Sequence, residues 1–196
     1  NAPMGEPQPV PSDSPYTAHM KPGDMPTGEY RQVFPDGDGR MIIDHDRLAA
    51  LYRLWSSKAI FPDLPDRASF APEHFAPWMG NLSIVDYERP TQRFHIRLSG
   101  VVLTQFHGMD QTGKYLDEIL SPTHRPRILQ EYTAALERRG PVYSVWRGGT
   151  ASRLSVHRLI MPCLAGGTDV DQLLVGLYLD GFPQMAKRIG LYRGAR

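Results

Sequence analysis

The chain has 196 residues, 41% of them apolar, and a formal net charge of +1, a length that carries one domain or one domain with tails. Residues 41–183 hold 15 acids and 15 bases, so nucleic acid as the main partner is not favoured. The single cysteine, Cys163, excludes an internal disulfide and a multi-cysteine metal site, and no apolar run approaches the about 20 residues that cross a bilayer.

A soluble cytoplasmic protein without nucleic-acid binding or membrane insertion is therefore expected. Residues 1–40 carry six acids against three bases and eight of the 18 prolines, and their apolar residues show no period. This composition reads as a disordered or extended tail, or as a docking segment that orders on a partner. Residues 41–80 follow as a helix and a packed connector. The helix is expected at 44–60, with Asp44 or Asp46 as its cap and Pro62 as its stop. Leu48, Leu51, Tyr52, Trp55 and Ala59 make one apolar stripe along it. That stripe packs on its own chain or against a second copy, and in the second case Leu48, Leu51, Tyr52 and Trp55 are the dimer contact. The connector at 62–80 has four prolines dotted with Phe70, Phe75, Trp78 and Met79, which favours a segment laid across a surface.

Residues 81–181 hold the folded centre. Leu82 to Tyr87 is one extended run. Phe94, Ile96 and Leu98 alternate with polar residues in a second, and 88–92 is the turn between them. After Gly100, Val102, Leu103 and Phe106 fall at helical spacing and Gly108 stops them. Gly113 opens a short turn carrying Tyr115, Leu116 and Ile119. A longer helix covers 125–139, with Pro126 near its start, Leu129, Tyr132 and Leu136 spaced by three and four, and Gly140 at its end. Three strands close the centre, at 142–147, 154–163 and 172–180. Residues 182–196 form a basic tail with Lys187, Arg188, Arg193 and Arg196, which offers a weaker option of binding acidic surfaces.

Five antiparallel strands with helices inserted after the second define an α+β arrangement. The order resembles the PAS domain. The local sequence is similar to a stand-alone bacterial PAS group common in alphaproteobacteria. The matching stretches are Leu51-Tyr52-Arg53-Leu54-Trp55, Leu64-Pro65-Asp66-Arg67, Phe75-Ala76-Pro77-Trp78-Met79-Gly80-Asn81-Leu82, Phe94-His95-Ile96-Arg97-Leu98-Ser99-Gly100 and Thr112-Gly113-Lys114-Tyr115-Leu116-Asp117-Glu118. They span about residues 48–180. The resemblance implies a five-stranded antiparallel sheet with helices on one face, preceded by the N-terminal amphipathic helix. It implies a cavity for a small ligand or a partner, and homodimers formed through the helix and the outer face of the sheet.

The chemistry narrows under this expectation. Flavin photosensors of the family use a cysteine on a short helix, but 109–120 holds none, so a flavin–cysteine adduct is disfavoured. Haem is disfavoured because His107 and His124 flank helices without a second axial partner. Asp44-His45-Asp46 resembles a ligand cluster, yet consecutive helical residues point apart and no second ligand pair follows. His95 and His157 read as solvent-facing or cross-strand residues, and Cys163 as an inert thiol. Phe106, Tyr115 and Trp146 either line a ligand pocket or fill a closed core. Arg158 falls in phase with Leu154, Val156 and Ile160, so it faces inward and must meet an acid or a ligand. The leading expectation is a non-catalytic sensory or regulatory module signalling to a separate effector protein. The alternative is a small α+β enzyme using His and Asp residues in a cleft.

Overall fold

The computed structural model describes residues 28–59, 64–122, 124–148 and 154–181. Its strands are β1 (Glu29–Val33), β2 (Leu82–Glu88), β3 (Arg93–Ser99), β4 (Val142–Arg147), β5 (Ser155–Leu164) and β6 (Val170–Asp180). Its helices are α1 (Asp46–Lys58), α2 (Val101–His107), α3 (Leu116–Ile119) and α4 (Arg125–Glu137), with 3-10 segments at Arg67–Ser69 and Pro72–Asn81. The strands form one antiparallel sheet in the order β1-β4-β5-β6-β2-β3. The fold is α+β. The five expected strands are present and β1 adds a sixth at the edge.

Strand β1 lies within the stretch read as a tail. Five residues with no apolar period are held because β4 supplies a full register, from Glu29 opposite Arg147 to Val33 opposite Tyr143. Residues 1–27, the expected helix stop Pro62, the turn at 149–153 and the basic stretch from 182 lie outside the described residues.

Directly opposed residues of antiparallel strands project to the same face. One face presents Tyr30, Gln32, Ser144, Trp146, Val156 and Arg158, because Tyr30 opposes Trp146, Gln32 and Arg158 oppose Ser144, and Val156 opposes Trp146. Helix α4 covers this face: its Tyr132 ring lies 5.3 Å from Phe94 of β3, and its Glu131 bonds Ser144 and Arg158. The opposite face is covered by α1. A Cβ built on Gly176 in β6 would stand 2.6 Å from Cδ2 of Leu48 and 2.9 Å from Cδ2 of Leu51. Only a residue without a side chain lets the helix lie this close. Trp55 donates its indole N–H to the Pro162 carbonyl at 3.1 Å.

This settles the stripe. Leu48 and Leu51 are fully buried and Trp55 is 6% exposed, all against the sheet of their own chain. They have no surface left for a second copy. Tyr52 is half-buried and its hydroxyl donates to the Gly39 carbonyl at 2.7 Å. The stripe is apolar because the sheet's second face needs a cover. Each buried residue contributes roughly 2 kcal/mol.

The helix cap is also different from the expected one. His45, not Asp44 or Asp46, is the N-cap, its Nδ1 accepting from the Leu48 N–H at 3.3 Å. Asp44 is paired with Arg31 and Arg147. In the connector, Phe70 and Phe75 are buried with rings 5.4 Å apart, Trp78 donates to the Arg47 carbonyl at 2.8 Å, and Met79 is 51% exposed. One hydrophobic cluster runs through α1, the connector, the sheet and α4.

Candidate functional site

Helix α4 buries Ile128, Glu131, Tyr132 and Ala135. These positions follow the three-and-four spacing of one helical face, so the fold places a glutamate in the apolar stripe between helix and sheet. Glu131 is 1% exposed. A lone buried carboxylate would be untenable, and three elements bring partners to it. Tyr30 of β1 donates to Oε1 at 2.9 Å, Ser144 of β4 donates to Oε2 at 2.8 Å, and Arg158 of β5 donates to Oε2 through Nη1 at 2.8 Å. Arg158, the inward-facing charge singled out in the sequence, thus has its acid.

The surroundings shift several groups around this node. Burial, and then Glu131, push the Tyr30 hydroxyl above its ordinary range, so it remains a donor. Burial raises Tyr132 to about 12. His107, at the end of α2, is lowered to about 4 by burial and then by the Arg158 charge, so it is neutral near pH 7. Arg127, one turn before Glu131, lays its guanidinium 4.7 Å over the Tyr30 ring. Its Nε is buried without a hydrogen-bond partner among the described residues, and so is Nε2 of Gln32, which opposes Ser144 on β1. The corner where β1, β4 and β5 meet α4 therefore holds a satisfied ion pair and, beside it, two unsatisfied donors.

Of the residues expected to line a pocket, Trp146 and Arg158 share this corner. They lie on one face of adjacent strands, Trp146 opposite both Tyr30 and Val156. Phe106 lies on α2 with its ring 5.0 Å from that of His107. Tyr115 is elsewhere. Residues 113–115 pair along the free edge of β3, and Tyr115 donates to Glu88 at 2.9 Å beneath the Arg93 guanidinium, 3.8 Å from its ring. In the sheet order four strand spacings separate β3 from β4, so Tyr115 is reached along a different edge from Trp146 and Arg158. The resemblance points at a layer of the fold, whereas convergence depends on which edge of the sheet each residue reaches.

The sequence reading missed Glu131, Tyr30, Ser144, Gln32 and Arg127. A signal existed for the first: Glu131 stands three residues after Ile128 and four before Ala135, inside the apolar stripe. The others needed knowledge of β1.

The histidines and the cysteine are accounted for singly. His95 has its ring 5.2 Å from Tyr115. His157 is 3% exposed under α1, and of the two expected readings it is the cross-strand partner, bonded to Tyr143 of β4. Cys163 is buried in β5 and its thiol is raised to about 12 by burial. No group of three or more His, Cys, Asp and Glu among the described residues is arranged to hold a metal ion. Two open hollows, of about 540 and 400 Å³, lie at the β2–β3 turn beside the end of α4 and between Phe34, Tyr52 and Trp55. Neither is lined by a histidine, nor by Phe106, Tyr115, Trp146 or Arg158.

An antiparallel sheet with short helices after its first hairpin and a long helix across one face is the architecture of a small sensory domain. A PAS-domain family model matches residues 43–179, and the chain belongs to the PAS domain family. No curated protein and no solved structure matches it at a significant level. PAS domains are generally sensory or regulatory modules without catalysis. No helix among the described residues is long and apolar enough to cross a membrane.

Proposed function

We propose that this chain is a non-catalytic regulatory module that binds a small ligand at the corner of β1, β4, β5 and α4, and passes the event to a separate effector protein. The observation that carries the reading is the pair of buried, unsatisfied donors, Arg127 Nε and Gln32 Nε2, beside the Glu131–Arg158 pair. Buried donors without acceptors are disfavoured by about 1–3 kcal/mol each. A ligand bringing a carbonyl or carboxylate oxygen recovers that energy at both. It would tie Gln32 of β1 to Arg127 of α4. Strand β1 leads through residues 34–45 into α1, so holding β1 biases the placement of α1. Ordering one element that two sites share is the physical content of such a signal.

A homodimer remains part of the reading, on a different surface from the one expected. Met79 and Val101 are 51% and 62% exposed, and Val102 adjoins them across Gly80. Native mass spectrometry of freshly purified protein tests the whole. A stoichiometric added mass of an oxygen-bearing compound, lost on Arg127→Met, is expected. A clean mass together with an unchanged melting temperature against a panel of carboxylates would refute the ligand site, and a monomer at tens of micromolar would refute the dimer.

A further inference from the structure

The face of the sheet opposite Glu131 holds a second buried polar group that the reading above does not use. It lies where α1 begins. His45 caps α1 through Nδ1, and its ring stands 5.1 Å from the ring of His157 and 4.3 Å from that of Tyr178. His157, almost fully buried on β5, is held at both nitrogens: Nδ1 by the Tyr143 hydroxyl at 2.7 Å and Nε2 by Ser155 Oγ at 3.0 Å. One carboxylate serves both rings. Asp180 of β6 places Oδ1 3.9 Å from Nε2 of His45 and Oδ2 3.6 Å from Nε2 of His157. We infer that His45 and His157 form a proton-operated latch that holds the first turn of α1 on the sheet when neutral and releases it when charged.

The chemistry runs through the cap. To accept the Leu48 N–H, Nδ1 of His45 must keep its lone pair, so the ring's proton sits on Nε2, towards Asp180. A second proton takes that lone pair. The cap is lost, and a cation then stands at the positive end of the helix dipole. His157 keeps its hydrogen bonds on charging, because both hydroxyl partners can accept. Its charge is nevertheless buried and faces His45. The other charged groups around the pair supply no net negative charge to offset a proton. Asp46 and Arg47 lie on α1, and Asp44 before it is paired with Arg31 of β1 and Arg147 of β4. Asp180, its side chain 54% exposed, can offset one of the two new charges but not both. Leu48 follows within the same turn. Release of that turn uncovers the apolar surface around Gly176.

Burial holds both rings below their ordinary value, His45 against the pull of Asp180, and His157 further because His45 is beside it. The sign follows. Stabilisation from the neutral pair is complete above the free-imidazole value of about 6.5 and is lost as pH falls below it. The latch lies on the opposite face from the ligand corner, and it stands or falls without it.

Hydrogen exchange of the full chain, corrected for intrinsic rates, tests this between pH 7.5 and 5. The expected result is that protection of 46–58 falls at least about tenfold more than that of β5 and β6, an opening confined to one element. His45→Asn keeps a capping acceptor and cannot titrate in this range, so its α1 should no longer respond. Protection of α1 that stays level, or that falls only in step with the strands, overturns the latch. So does a His45→Asn protein whose α1 keeps the full response. Should that variant not fold, the wild-type profile decides alone.

Discussion

Replacing Glu131 by Gln removes one charge and almost no volume. With the amide oxygen at the Oε2 position Ser144 keeps its acceptor, Tyr30 meets an NH2 that can only donate to it, and Arg158 loses its acid. At the observed 2.8 Å and an effective dielectric of about 20, the attraction lost is about 6 kcal/mol, before the desolvation that offsets part of it. Breaking one side of such a pair typically destabilises by about 3–5 kcal/mol, because the other charge stays buried. The two sides are unequal. A carboxylate left alone can neutralise itself by taking a proton and a guanidinium cannot, so Arg158→Met should cost less than Glu131→Gln. The double change Glu131→Leu with Arg158→Met removes both charges, and should be closer to wild type than Glu131→Gln alone. Urea unfolding followed by circular dichroism at pH 7 measures all three. Glu131→Gln costing under about 1 kcal/mol, or a double variant no closer to wild type than Glu131→Gln, would show that the pair is wet and independent, and would refute the reasoning.

Two further predictions concern backbone and packing. Gly176→Ala puts a methyl within 3 Å of two leucine ends that are themselves fully buried. It should destabilise by about 1–3 kcal/mol and speed exchange in α1 before β4, and an unchanged melting temperature would mean that α1 is not seated on β6. Arg139 has a φ of 49° just past α4, with the Gly140 N–H bonded to the Ala135 carbonyl. The left-handed position that ends the helix thus falls on arginine, one residue before the expected Gly140. Arg139→Gly should stabilise by about 0.5–1 kcal/mol, read as a higher urea midpoint at constant slope, whereas Arg139→Ala should give no gain.

Much of the fold was legible in local pattern. Extended and alternating runs located β2 to β6, helical spacing located α1, α2 and α4, and their order pointed to the PAS family, because these signals come from each element having apolar residues in a core. The candidate site was legible only in part. Arg158 was visible as a charge in an apolar phase, but its partner was not, since the phase of a strand does not say which helix covers it.

The sequence by itself determined that this chain makes five antiparallel strands with helices between the second and third, and that one cation must be buried among them. Tertiary structure alone decided three things. It turned the apolar stripe of α1 onto its own sheet. It brought Glu131, Tyr30 and Ser144 to Arg158 from three elements. It set His45 against His157 under the start of α1. The apolar runs Leu159-Ile160-Met161 and Leu173-Leu174-Val175 were compatible with strands covered on both faces, but runs of that kind do not name the cover. The reason is geometric: spacing along the chain sets which side chains share a face, and only the docking of one face on another chooses their partners.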